Sequence, residues 1–345
     1  MACHDARKRR IARGLAIPLT CLILAVALPW PVGRSAAAEP GGITDTLRIG
    51  LVLQPTNALV MIGLKLDYFA KEGLKTEVTK YASGKNALKE GLFSGKVDLV
   101  TASDLPIAIS GFQRQDFKII ATVFSVDNQN RIIARRDRGI AMPADLKGKR
   151  LATQRRSAVH FFLSLYLADH GIAEKDVRLS FLQPADLPRA LANGDIDAFA
   201  MREPFISQAK KLIGANAVVF DAPGLYDQSD QVVVSNSLVE RQPESVTRVL
   251  RALLRAEEFA NADPARAKSI VAEYLGISPA EVAADWPKRS PKVVLKQALL
   301  SQLEGQARWA IRNGLAPGKT VPNYLDLLYL PALAAVKPEA LTVIR

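Results

Sequence analysis

Cysteine is almost missing from this chain of 345 residues: it has two, Cys3 and Cys21, both close to the amino terminus. The rest of the chain therefore cannot form a disulfide, supply a cysteine nucleophile or build a zinc–thiolate centre. Histidine is scarce as well, with three residues in all. His160 and His170 do not stand at a metal-ligand spacing, and His160 beside Phe161 reads as a packed or capping residue. Gly-x-Gly-x-x-Gly, the Walker phosphate loop and Gly-x-Ser-x-Gly are all absent. Those absences remove the usual sequence signals for dinucleotide, nucleoside triphosphate and serine-hydrolase chemistry. No Lys/Arg run interleaved with aromatics occurs past residue 38, so nucleic acid is not an expected partner. Nor does that part contain an apolar stretch of the roughly 20 residues that span a bilayer.

What is present starts with a leader. Arg7, Lys8, Arg9, Arg10 and Arg13 precede the apolar Leu15 to Leu28, Pro29 and Pro31 stop it, and Ala36-Ala37-Ala38 follows. This order predicts a signal peptide over residues 1–38, removed on export, with a retained anchor as the alternative. Arg9-Arg10 as a twin-arginine signal and Cys21 as a lipidated cysteine are both weak readings. Cleavage would take both cysteines with it. The net charge is +12, of which roughly +7 remains beyond residue 38, a surplus that favours anionic ligands by steering.

Two segments a hundred residues apart are nearly alike: Glu90-Gly91-Leu92-Phe93-Ser94-Gly95-Lys96-Val97-Asp98-Leu99 and Arg189-Ala190-Leu191-Ala192-Asn193-Gly194-Asp195-Ile196-Asp197-Ala198. Each places a helix end, a glycine suited to the left-handed conformation, and an Asp opening a short apolar strand. One βαβ-like unit thus occurs twice, predicting two similar α/β lobes with a ligand cleft between them. Asp98 and Asp197 are expected to serve turns in different lobes.

Strands are expected over Leu47–Leu53, Thr76–Tyr81, Val97–Thr101, Ile119–Phe124, Leu151–Thr153, Val177–Leu182, Ile196–Met201 and Val218–Asp221. Helices fit at Asn57–Ala70, Lys85–Phe93, Leu105–Gln113, Ser157–His170, Leu187–Asn193 and Pro204–Ile213. Arg131–Arg135 and Gln231–Ser235 read as segments that cross between the lobes and form a hinge. The remainder is helical. Pro243 opens a helix with Val246, Val249, Leu250, Leu253 and Leu254 on one face. Further helices start at Asp263-Pro264 and at Ser278-Pro279, where Glu281 completes a capping box, and the last spans Ala298–Arg312. This tail is expected to pack back on the first lobe. Tyr324, Leu327, Leu328 and Leu330 are expected to be core.

These residues resemble a known group. Leu47-Arg48-Ile49-Gly50, Asp67-Tyr68-Phe69-Ala70-Lys71-Glu72-Gly73-Leu74, the Gly-x-Val-Asp at 95–98, Asp145-Leu146-Lys147-Gly148-Lys149-Arg150, the Gly-x-Ile-Asp-Ala at 194–198 and Glu203-Pro204-Phe205 match in order and spacing. Together they are similar to the NMT1/THI5-like substrate-binding proteins of ABC importers for nitrate, sulfonates, taurine and thiamine-pyrimidine precursors. The resemblance implies an α/β, bilobal type II periplasmic-binding-protein fold, with two parallel or mixed sheets, flanking helices and a two-strand hinge. Lobe 1 would comprise 46–134 and 236–345, lobe 2 135–235. It also implies a periplasmic monomer that binds a small organic anion, hands it to an ABC permease and its ATPase, and uses no cofactor or metal. Rival implications are a ligand of the thiamine-pyrimidine-precursor or aromatic-carboxylate kind, an enzyme of the thiamine-precursor synthase type, and a sensory domain.

Carried over residue by residue, the ligand would meet Gln54, Thr56 and Asn57; Ser83 and Gly84; Ser103 and Asp104; Arg155, Arg156, Ser157 and Ala158; and Arg202 and Glu203. Elementary chemistry agrees with that placement. Ligands of open α/β sheets lie beyond the carboxyl ends of strands, and a helix opening at Ser157 offers free N–H groups and a favourable dipole to an anion. Either arginine there could grip a sulfonate, carboxylate or phosphate, or be merely solvated, while Ser157 should cap the helix. The family favours a small Gly-Ser pair where this chain has Arg156-Ser157, and an aromatic where it has Arg202. Two roles stay open for Asp104: capping the helix that follows, or meeting a ligand ammonium or an arginine. Glu203 is open between a first-turn carboxylate and a ligand contact. A cleft of both signs would suit a zwitterion.

Overall fold

The computed structural model describes residues 45–286 and 291–344; the expected signal peptide lies outside them. Among the described residues no helix is long and apolar enough to cross a membrane. Ten strands among the described residues form two five-stranded sheets. The first contains β1 (Asp45–Val52), β2 (Leu74–Tyr81), β3 (Leu99–Ser103), β4 (Phe117–Val126) and β10 (Gln228–Ser235). The second contains β5 (Arg131–Arg135), β6 (Arg150–Thr153), β7 (Arg178–Phe181), β8 (Ala198–Met201) and β9 (Ala217–Asp221).

The orders β2-β1-β3-β10-β4 and β7-β6-β8-β5-β9 are one topology used twice. In each sheet three strands run parallel, and the fourth in line runs antiparallel to both neighbours. That antiparallel strand comes from across the hinge. β5 leaves the first lobe and enters the second sheet; β10 leaves the second lobe and enters the first. Arg131–Arg135 and Gln231–Ser235 are therefore integral strands, and the crossings proper are the shorter stretches 127–130 and 222–227. Both crossings therefore precede the expected limits at 134/135 and 235/236, which had left β5 in the first lobe and β10 in the second.

The repeat seen in sequence is reproduced bond for bond. Asp98 accepts the backbone N–H of Arg48 at 3.0 Å and its Nε at 2.9 Å, and Asp197 accepts the N–H of Arg150 at 2.9 Å and its Nε at 3.1 Å. The same guanidinium groups reach the carbonyls of Gly95 and Gly194, both glycines being left-handed, with φ 73° and 81°. Ser235 N then donates to the Asp98 carbonyl and Arg135 N to that of Asp197, both at 3.0 Å. Each Asp ties the start of one strand to its neighbour, as expected of a turn residue.

Period-2 alternation builds the core of the second lobe. Ile132, Leu151, Ala198 and Ala200 face the Ala158–Asp169 helix through Phe162, Leu163 and Tyr166. Ile133, Ala152, Phe199 and Met201 face the Leu187–Asn193 and Phe205–Ile213 helices through Leu187, Leu191 and Ile206. In the first lobe Ile49, Leu51 and Val100 share one core with Val246, Val249, Leu250 and Leu253 of the Pro243–Ala262 helix. The helical tail does return to the first lobe. Tyr324, Leu327, Leu328 and Leu330 are buried there, and the Ser278/Glu281 capping box is present.

Two expected helices are modified. Asn57–Ala70 divides into a 3-10 turn Pro55–Asn57, a helix Ala58–Lys65 and a turn Tyr68–Lys71. The break is at Asp67, in the left-handed region with φ 56°, which Asp tolerates better than most residues. Lys85–Phe93 starts as a short turn at Gly84–Asn86 and widens to π geometry over Ala87–Leu92.

Candidate functional site

The expected binding residues lie at the carboxyl ends of β1, β2 and β3 in one lobe and of β6 and β8 in the other. Pro55 fixes the turn after β1, and Gln54, Thr56 and Asn57 are 2 %, 1 % and 0 % exposed. Neither polar atom of the Asn57 side chain has a hydrogen-bond partner, and Gln54 Oε1 has none. Buried polar groups are nearly always paired, so these unpaired ones stand out among the residues at the strand ends.

Behind them lies a fully buried charge network. Asp230 on β10 accepts Gln54 Nε2 at 3.1 Å and Gln228 Nε2 at 3.0 Å. Gln228 Oε1 in turn accepts Asn130 Nδ2 at 3.0 Å and Arg202 Nη1 at 3.3 Å. Burial pushes the Asp230 carboxyl up, opposed by the Arg202 charge and by hydrogen bonds from Gln228 and Gln54. Burial also lowers the Arg202 guanidinium, with Asp230 the main opposing charge. Asp104 is pushed up to about 7, first by burial, although Tyr226 donates to it and Ser229 N lies at 3.3 Å. Gln302 Nε2 donates to it as well. Both its oxygens are engaged with the protein.

The start of the Ala158–Asp169 helix separates two neighbouring arginines. Arg155 is exposed, its guanidinium 5.3 Å from the Phe181 ring centre. It borders an outer hollow of about 530 Å³ together with His160, Glu174 and Phe181, and so stands apart from the buried cluster. Arg156 adopts φ 57°, the left-handed region, which glycine enters at least cost. The side chain is half-buried, and its Nε is shielded from solvent with no hydrogen-bond partner. His160 Nδ1 accepts the Arg156 N–H at 3.3 Å and the ring packs edge-on to Phe181 and Trp309. Among the described residues no cluster could hold a metal ion.

Ser157 occupies the N-cap position but does not cap. Its hydroxyl turns back and donates to the Gln154 carbonyl at 2.6 Å, leaving the first N–H groups of a 12-residue helix without a side-chain acceptor. Ala158 is buried behind it. Ser83 caps its own short turn and receives Gln154 Nε2 from the opposite lobe at 2.9 Å. Gly84 is required by close approach, since a Cβ there would lie 2.8 Å from Ala102 Cα. Ser103 ends β3, buried. Glu203 is spoken for by the protein: it accepts Ser207 N at 3.0 Å and pairs with Arg131 at 3.6 Å.

The lobes are closed on each other. Gln154 Nε2 also donates to Asn86 Oδ1 at 2.8 Å, and Phe161 of the second lobe packs edge-on to Trp309 and Tyr226, ring centres 5.0 Å away. Gln129, Asn130, Gln154, Tyr226, Gln228 and Asp230 were not anticipated. Their only signal was polarity at the end of apolar strands, notably Gln129-Asn130 at the crossing.

With this geometry in view, comparison with known proteins decides the family. The model of the NMT1/THI5-like family matches residues 54–267. The chain belongs to the NMT1/THI5-like family. Among relatives of this NMT1/THI5-like chain, the "Putative aliphatic sulfonates-binding protein" of Bacillus subtilis (strain 168) is 28% identical over 246 residues, covering 69% of this chain and 72% of that one. In solved structures, the alkanesulfonate-binding protein SsuA of Xanthomonas axonopodis pv. citri bound to MOPS superposes with TM-score 0.71 at 24% identity, covering 83% of this chain and 98% of that chain. The desulfurization enzyme DSZB superposes with TM-score 0.62 at 18% identity, covering 85% and 98%. The NMT1/THI5-like chain thus has the expected bilobal α/β periplasmic-binding-protein fold.

Proposed function

We propose that this chain is the solute-binding component of an ABC importer, holding a small organic anion of the sulfonate or taurine kind between its lobes. One observation carries the reading. Arg156 Nε is buried without a partner beside the start of the Ala158–Asp169 helix, where the Ser157 carbonyl takes the N–H groups of His160 and Phe161 and no side chain caps those of Ala158 and Val159, a cation and a helix start suited to an anion. The names of the sulfonate-binding relatives point the same way. In this reading residues 1–38 are removed on export, the protein works in the periplasm as a monomer, and closure presents a surface to a permease and its ATPase.

Binding without turnover is the better fit. Cys3 and Cys21, the two cysteines, precede the described residues, and Asp104 and Glu203 are engaged by the protein. Arg202 in place of an aromatic supplies no ring for a flat pyrimidine, which counts against the thiamine-precursor ligand.

Calorimetric titration with alkanesulfonates, taurine, nitrate and aromatic carboxylates tests the proposal. Arg156→Ala should weaken sulfonate binding about tenfold or more, a charged hydrogen bond being worth roughly 1.5–3 kcal/mol, while Arg155→Ala leaves it unchanged. No heat with any sulfonate, or conversion of one to product, would overturn it.

A further inference from the structure

One peptide unit of the second lobe is held at both of its polar ends. Its carbonyl belongs to Arg155 and accepts Lys85 Nζ, from the first lobe, at 2.5 Å. Its N–H belongs to Arg156 and donates to His160 Nδ1 of its own lobe at 3.3 Å. A backbone N–H can only donate, so Nδ1 offers its lone pair and the imidazole hydrogen sits on Nε2. The ring is itself fixed, packed edge-on against Phe181 and, from the first lobe, Trp309.

These two grips decide a backbone angle. A peptide plane is rigid, so the orientation of this one sets φ of Arg156, which is 57°. Turning the plane over, by about 180°, would return Arg156 to negative φ, which costs a side chain less. It would also bring the carbonyl oxygen against the Nδ1 lone pair and the N–H against the ammonium. The left-handed arginine is thus upheld by two hydrogen bonds, one from each lobe. His160 stays beside the turn whatever the lobes do, because it lies on the helix that the turn opens. Lys85 does not, because parting the lobes withdraws it.

Lys85 is also a cation among cations. Burial lowers its ammonium from the ordinary lysine range, and the charges of Arg156, Lys89 and Arg155 lower it further, with Glu90 opposing. Like charges brought together across the lobes resist closure. An anion placed among them removes that resistance.

We infer that Lys85 is a positioning residue: on closure its ammonium locks the Arg155–Arg156 peptide in the orientation that keeps Arg156 left-handed, and so completes the anion-binding turn. The inference rests on the solute-binding reading above and adds to it a coupling between closure and the shape of the site. With the lobes apart, the peptide keeps its N–H bond alone.

A double-mutant cycle on the full chain tests it, with Lys85→Met, Arg156→Gly and the two combined. Glycine takes the left-handed angle freely, so the lock has little left to do once Arg156 is replaced. The readouts are the melting temperature without ligand and calorimetric titration with ethanesulfonate. In the parent, Lys85→Met should lower the melting temperature and weaken ethanesulfonate about tenfold, as expected for a charged hydrogen bond. In the Arg156→Gly background both effects should shrink, the loss of affinity to about twofold. Equal losses in the two backgrounds overturn the inference and leave the solute-binding reading standing, since a lysine acting only as a charge on the ligand does not depend on residue 156. Coupled melting temperatures without ethanesulfonate binding support the lock and count against the sulfonate reading. Additive melting temperatures without binding overturn both.

Discussion

Gln154 of the second lobe donates to Ser83 Oγ of the first at 2.9 Å, one side chain bolting the two jaws at the cleft. Its amide also reaches Asn86 Oδ1 at 2.8 Å, and Asn86 Nδ2 donates to Gln183 Oε1 at 3.3 Å. Closure is thus partly encoded in protein contacts, and a ligand has that much less to supply. Gln154→Ala should expand the unliganded protein in small-angle scattering and lower ligand affinity several-fold, through loss of roughly 1 kcal/mol of closing energy. An unchanged radius of gyration together with unchanged affinity would mean that the bolt carries no weight.

Acidity should stabilise the protein over part of its range. The Asp104 carboxyl is pushed up to about 7 in the folded state, chiefly by burial, against an ordinary value of 3.8. Between those values the folded chain holds a proton that the unfolded chain releases, so stability from this group is full below about pH 4 and is lost as pH rises through 7. Asp230, raised by burial too, acts in the same direction. The melting temperature should therefore climb as pH falls from about 8 to about 5, and Asp104→Asn should flatten the slope. A steeper slope in the variant would refute the assignment.

Much of the architecture was legible in the sequence because two signals are local. A helix, a left-handed glycine and an Asp opening an apolar run are adjacent in the chain, and Gly95 with Asp98 and Gly194 with Asp197 do what that order implies. The equivalence makes a paired prediction: Asp98→Ala and Asp197→Ala should lower the melting temperature by similar amounts, each leaving a strand N–H unpaired, that of Arg48 in β1 or Arg150 in β6. A large effect in one lobe alone would show that the duplication is one of shape only. The site was less legible because it is assembled across the chain. Gln129 and Asn130 look like loop polarity until β4 and β5 part company and bury them. Asp104 gave two readings because its role depends on Tyr226, 122 residues away. Ser157 occupies the N-cap, yet a carbonyl three residues earlier wins its hydroxyl.

Arg155 and Arg156 were equivalent in sequence, and one backbone angle parts them. At φ 57° Arg156 sits where a side chain is disfavoured by roughly 1 kcal/mol and glycine is not. Arg156 Nε is nevertheless buried while the exposed Arg155 stands over the Phe181 ring. Arg156→Gly should therefore move two properties in opposite directions. Relief of the left-handed residue raises stability by up to about 1 kcal/mol, partly offset by glycine's greater freedom in the unfolded chain. Loss of the half-buried guanidinium lowers affinity for a sulfonate about tenfold or more. Differential scanning calorimetry without ligand and titration with taurine read the two separately. Arg156→Ala keeps the strained angle and loses the cation, so it should lose affinity without gaining stability. If Arg156→Gly instead melts lower than the parent while binding taurine as well, the left-handed arginine is a structural residue and the anion is held elsewhere.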